Sequence, residues 1–474
     1  MKKTILACFF ATLSAALSAA TVESVLVRQM WPWSTDILVE YRLSGVDATH
    51  PAKLSVRAFN GETEIGAGTL AQAICGNVQY VTEGTGSFKI LTGLAFGSGT
   101  VSFGNFRVQL TAETPTVDPD EVLYKIVDLT SPYTVKDLTR REILSGEYGS
   151  FATSYAQIDP EFSTSLSDVL IWTGVTENDV YKTDKMVFRK IPAGGKSYKM
   201  QAGNLTQNSG EGVEVSFSKD FYIAVFEITQ AQYANFFSVN PWETYPTAPC
   251  LRAYAGVRPR FIRPPKWSAS DAGGIHAISS ESSSLCGRMQ NRIGLLFDMP
   301  TEAMWEYACR AGTTGALYTG DSTHTATKTD SHVLKIMRAN LPWTDDKTLD
   351  LDRNAGIPGQ HLPNAWGLYD MLGNLCEPCL DGFSDLNSYT LLGGTDPLSG
   401  YYEQALEAQT ATDYNVTVRG GYYFAPNGGG DNTPSITPAN STSRISASTS
   451  SDARSLGARI CIYLDHNNDG TKNP

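Results

Sequence analysis

The sequence predicts an α+β protein in which a small β-sandwich precedes a larger domain rich in irregular structure. Three observations predict it. Short β-prone runs separated by turn-formers crowd the N-terminal region. Only two longer stretches read as helices, and both lie beyond that region. Glycine (42), tyrosine (22) and phenylalanine (19) are abundant in a chain of 474 residues, with 18% charged and 41% hydrophobic. That composition suits a folded, loop-rich chain and excludes a disordered one.

Residues 1–20 read as a signal peptide. Lys2 and Lys3 form the positive end, Ile5 to Leu17 the apolar run, and Ser18, Ala19 and Ala20 the small-residue cleavage region. The expectation is an exported protein, whether periplasmic, cell-surface or extracellular. No other segment approaches the roughly 18 apolar residues of a spanning helix, so membrane insertion is not expected. The formal net charge of −12 argues against nucleic-acid and anionic-membrane partners.

Residues 21–115 carry β-prone runs at Val22 to Gln29, Asp36 to Leu43, Ala52 to Phe59 and Phe106 to Leu110. Most of them alternate apolar and polar residues, and Asn60-Gly61 signals a hairpin. Residues 116–180 read as a linker and connector, because Pro115 and Pro119 flank a polar stretch. Within it, Asp168 to Trp172 is strand-like. Residues 181–465 form the larger domain. There Thr229 caps a stretch with Ala231, Tyr233, Ala234, Phe236 and Phe237 at helical spacings. Pro300-Thr301 opens a second helix, with Met304, Trp305 and Ala308 on one face and Gly312 at its end. Residues 466–474 are a C-terminal tail.

Eight cysteines are present. Seven lie beyond the leader: Cys75, Cys250, Cys286, Cys309, Cys376, Cys379 and Cys461. Export permits disulfides, and an odd count leaves at least one thiol over. Cys376-x-x-Cys379 is a lone pair, and the six histidines are scattered. A structural zinc site is therefore not expected.

Six ordered motifs then add up to a family. They are Met186–Gly195 (MVFRKIPAGG), Phe221–Tyr233, Met299–Gly312 (MPTEAMWEYACRAG), Asn364–Asn374 (NAWGLYDMLGN), Arg419–Tyr423 (RGGYY) and Gly457–Arg459 (GAR). In this order they resemble the formylglycine-generating enzyme, or sulfatase-modifying factor, family. The resemblance implies a C-type-lectin-like fold for residues 181–465. It also implies oxidation of a substrate cysteine to formylglycine, using oxygen and two copper-binding cysteines. Here those positions fall on Ala425 and Gly430, and no cysteine lies between Cys379 and Cys461. Neither side chain can hold Cu(I), which favours soft thiolates. No copper and no formylglycine chemistry are therefore expected, and the catalytic region is degenerate. The helix opened by Pro300-Thr301 has Met304 where the family usually has a capping glutamate, so the reciprocal cap is expected to be lost.

The resemblance further implies structural Ca²⁺. Its ligands would be the side chains of Asp370 and Glu377 and the carbonyls of Gly373 and Leu375. Hard oxygen donors suit that ion. A second site would use Asn340 and the carbonyl of Leu341, with Asp350 or Asp352. A disulfide between Cys286 and Cys461 is implied in the same way, with Cys309 left as an unpaired thiol. Three functions follow as expectations. The first is a non-catalytic binding or scaffold protein with a protein or glycan ligand. The second is an enzyme of altered chemistry. The third is a sequence-diversified receptor, for which sequences differing only at 425–456 would speak.

Overall fold

The structure is a computed structural model. It describes residues 20–30, 34–47, 50–96, 106–159, 169–200, 212–237, 284–315, 317–318, 335–336, 356–382, 393–398, 415–421, 445–448 and 456–464. The chain divides into two compact units, Met1–Asp118 and Pro119–Pro474. Among the described residues no helix is long and apolar enough to cross a membrane.

The N-terminal unit contains β1 (Thr21–Gln29), β2 (Ile37–Ser44), β3 (Lys53–Asn60), β4 (Thr63–Glu64), α1 (Ala67–Ala73), β5 (Ile74–Cys75), β6 (Thr85–Ile90), α2 (Thr92–Phe96) and β7 (Phe106–Glu113). One sheet runs β1-β2-β6-β5 and the other β4-β3-β7. Alternation decides which face each strand buries. In β2, Ile37, Val39, Tyr41 and Leu43 are buried and their neighbours point outward. They share one core with Leu54 and Ala58 of β3, Leu70 and Ala73 of α1, and Phe88 and Ile90 of β6. The expected hairpin forms: Asn60 pairs with Thr63 around Gly61, whose φ of 63° is the left-handed value such turns require. The alternation in β7 continues through Ala112, so that strand runs beyond Leu110.

The C-terminal unit is built on a six-stranded antiparallel sheet. Its strands are β8 (Val122–Asp128), β9 (Val135–Thr139), β12 (Lys185–Ile191), β15 (Phe221–Ala224), β16 (Leu296–Asp298) and β21 (Cys461–Tyr463). They lie in the order β16-β21-β15-β12-β8-β9. Residues 119–180 are more than a connector, because β8 pairs along its length with β12 and extends the sheet. Trp172, from the short strand β11 (Ile171–Trp172), packs edge-on against Tyr124 and Tyr181 and donates its indole N–H to the carbonyl of Tyr148. The near-continuous apolar run of β8 and β12 fits strands covered on both faces. Phe188 of β12 and Phe297 of β16 meet with ring centroids 5.7 Å apart in the main core.

Among the described residues the helices are few and short. α4 (Gln230–Ala234) starts with a full capping box: Thr229 Oγ1 accepts from the Gln232 amide, and Gln232 Oε1 accepts from the Thr229 amide. α5 (Leu285–Ile293) ends at Gly294 in the left-handed conformation. Its Arg288 and Arg292 donate to the carbonyls of Phe236 and Asn235, just past the end of α4. α6 (Glu302–Arg310) carries the single cap expected, the Met304 amide donating to Thr301 Oγ1. A further N-terminal amide, that of Glu302, donates 2.6 Å to Asp381 Oδ2 from β17 (Glu377–Gly382). A carboxylate distant in sequence thus supplies a second cap at the positive end of the helix.

Core truncation should be expensive in this sheet. Phe188→Ala is expected to lower stability by about 3–5 kcal/mol. Urea unfolding should show a lower midpoint with an unchanged slope, and a midpoint equal to wild type would contradict this packing.

Candidate functional site

The charged residues of the family motifs converge in the interior. Arg459, just before β21, is fully buried and uses all five of its N–H donors. Its Nη1 donates to the carbonyls of Ala224 and Val225 at 2.9 and 3.0 Å. Its Nη2 donates to the Tyr369 carbonyl at 2.8 Å and to Glu377 Oε1 at 2.7 Å. Its Nε–H is shared between both Glu377 oxygens at 2.9 Å. Trp305 of α6 adds an indole N–H to Glu377 Oε2 at 2.6 Å.

Glu227 sits beside this pair and is also buried. Its Oε1 accepts from the Leu375 amide at 3.0 Å, and its Oε2 accepts from the Asn374 side-chain amide. Asn374 Oδ1 accepts in turn from the Gly356 amide at 2.8 Å. Burial, with Glu377 and Asp370 nearby, pushes the Glu227 carboxyl well above the usual carboxylate range. Asp370 is buried with a φ of 53°, and its Oδ2 accepts from the Gly359 amide at 2.6 Å. Burial raises its pKa, opposed by that amide and by His361, Arg459 and Lys182.

A second ion cluster lies around α6. Arg419, at the end of β19 (Asn415–Arg419), pairs with Glu306, which also accepts from Arg310 Nε at 2.9 Å. Gly420 follows with a φ of 89°. A Cβ there would come 3.2 Å from the Met371 carbonyl oxygen and 3.3 Å from Trp305 Cζ2. The Gly-Gly of this motif therefore permits a close approach that a side chain would block.

The sequence-predicted site residues fare differently. Asp370, Gly373, Leu375 and Glu377 do lie in one buried segment. The Gly373 amide donates to the Gly420 carbonyl and the Leu375 amide to Glu227. Glu377, however, has both oxygens engaged by Arg459 and Trp305, and Asp370 turns to Gly359. Calcium needs six to eight oxygens with free lone pairs. Glu377, with its acceptor positions taken by Arg459 and Trp305, does not fit that ion as the structure places it. Asn340, Leu341, Ala425 and Gly430 lie outside the described residues, as do Asp350, Asp352 and Cys250.

Cys286 in α5 and Cys461 in β21 are both buried in the main core cluster, and the structure does not join them by a disulfide. Cys376 packs with Val416, Val418 and Leu456, whereas Cys379 belongs to the main core. The two members of the C-x-x-C pair thus serve different cores. Burial raises the thiols of Cys309, Cys376, Cys379 and Cys461, so they are poor thiolates. Among the described residues no group of three or more His, Cys, Asp or Glu is placed to hold a metal ion.

These interlocked motifs match a family model. The sulfatase-modifying factor enzyme 1-like domain matches residues 174–463. The chain belongs to this family. Solved structures similar to it include Treponema denticola variable protein 1, 17% identical, covering 59% of this chain and 95% of that one with a TM-score of 0.38. PvdO from Pseudomonas aeruginosa is 18% identical, covering 59% of this chain and 94% of its own at a TM-score of 0.38. CarF is 14% identical, covering 59% and 99% at a TM-score of 0.31. Comparison with curated proteins returned no match.

Sequence reasoning missed Glu227 in this sulfatase-modifying factor domain, although a signal was present. A carboxylate inside the apolar run Val225-Phe226-Glu227-Ile228 has to be buried and bonded. Its raised pKa has a sign that can be checked. A raised carboxyl contributes stability below its ordinary value of 4.5, and that contribution is lost as pH rises through the folded value. Glu227→Gln stays neutral at every pH. Its loss of stability between about pH 5 and about pH 8 should be smaller than that of wild type in urea unfolding. Equal losses would show that Glu227 does not titrate abnormally.

Proposed function

We propose that this chain is an exported, non-catalytic member of the sulfatase-modifying factor family, acting as a binding or scaffold protein for a protein or glycan ligand. One observation carries the reading. The interior ion pairs of the family motifs are in place, while the two copper positions hold Ala425 and Gly430, which have no ligand atoms. The raised thiols of the described core cysteines support it, because a buried thiol is a poor nucleophile. The two N-terminal sheets around one core support reading that unit as a β-sandwich. The C-type-lectin-like class rests on the motif resemblance, and export rests on the leader at residues 1–20.

The protein should not generate formylglycine. It would be incubated with copper, oxygen and a cysteine-containing sulfatase peptide, and the peptide assayed for aldehyde. Aldehyde above a no-protein control overturns the reading.

Export also supports the Cys286–Cys461 disulfide, which would tie α5 to the sheet and contribute about 2–4 kcal/mol. Peptide mapping of the oxidised protein under non-reducing conditions should recover the linked pair. Alkylation of either thiol in that sample would refute the bridge.

A further inference from the structure

The segment 369–377 is where the family resemblance places calcium, yet protein groups already meet several of its polar atoms, the Glu377 carboxylate above all. The Tyr369 carbonyl accepts from Arg459, and the Tyr369 amide donates to the Val225 carbonyl at 3.1 Å. The Asp370 carboxylate accepts from Gly359, and the Gly373 amide donates to the Gly420 carbonyl at 2.8 Å. Asn374 is held from both ends of its side chain, by Glu227 and by the Gly356 amide. The Leu375 amide donates to Glu227. Only Glu377 carries a direct ion pair within this set, and its partner is a guanidinium.

A carboxylate has about four acceptor positions. Four contacts from Arg459 and Trp305 reach Glu377, between 2.6 and 2.9 Å. A metal ion on those oxygens would have to displace them and would stand beside a fixed positive charge. That charge cannot leave by losing a proton, because guanidinium keeps its proton in proteins. Burial acts against the charged form of Arg459, and the carboxylates of Glu377, Glu227 and Asp370 together more than offset it, so the pKa is raised. The fork geometry also does what an ion would do. It gathers oxygens from three separate places, namely the end of β15, the turn at Tyr369 and the start of β17.

We propose that the Arg459 guanidinium takes the place of bound calcium as the cation that organises residues 369–377, so that this domain folds and stays folded without calcium at that segment. The inference does not depend on the proposed binding function, since a catalytic member could equally be organised by an arginine.

The test uses the full exported chain. Its melting temperature is measured in EGTA and in millimolar calcium chloride, and its metal content is measured after gel filtration. The expected result is the same melting temperature in both buffers and no stoichiometric calcium. A lower melting temperature in EGTA that calcium restores, or one calcium ion retained per chain, overturns the proposal. Arg459→Ala adds a second reading where it folds. Freed of its partner, Glu377 becomes available to a cation. The variant is expected to melt below wild type and to gain a calcium response that wild type lacks. If the variant does not fold, the wild-type measurements decide by themselves.

Discussion

The Arg459 guanidinium is the constraint on which the C-terminal unit depends. A buried guanidinium is tolerable only when its charge is paired and its N–H groups are bonded. Five donors meeting three carbonyls and one carboxylate fix the distance between β15, the Tyr369 turn and β17. Nothing nearby can shift without leaving a buried donor unmet. Glu227 completes the brace from the other side by holding Asn374 and Leu375. Arg419, Glu306 and Arg310 repeat the principle one layer away and attach β19 to α6. The described part of this unit, where the helices are short, thereby gains rigidity from side chains where longer helices would otherwise supply it from backbone.

Much of this was legible in the sequence, and what was not has physical reasons. Strands β1, β2, β3 and β7 of the N-terminal unit were readable because alternation is a local signal, as Ile37, Val39, Tyr41 and Leu43 show. The short helix at Pro300-Thr301 was readable from its cap and its apolar face. Residues 116–180 were harder. Two prolines marked a break, yet the apolar run Val122-Leu123-Tyr124 announced a covered strand, and that strand is β8. The cap supplied by Asp381 to Glu302 could not be read, since nothing local joins those two positions.

The calcium expectation shows how a resemblance carries residue types better than it carries their partners. Asp370 and Glu377 are the right chemistry for a hard cation. What they face is set by Arg459 and Trp305, far away in sequence, and by the amide of Gly359. Cys376 itself turns towards Val416, Val418 and Leu456, which anchors that stretch on the opposite side.

The position of β21 has a consequence for how the chain is made. This strand holds residues 461–463, near the end of the sequence, yet it lies inside the sheet between β15 and β16. Until it arrives, β15 and β16 have unpaired edges facing each other across a gap. Pairings between such distant positions are slow to form, because a long loop must close before they are rewarded. The C-terminal unit therefore cannot complete its sheet until residues 461–463 have been synthesised. The cost is a period in which open strand edges are exposed to pairing with other copies.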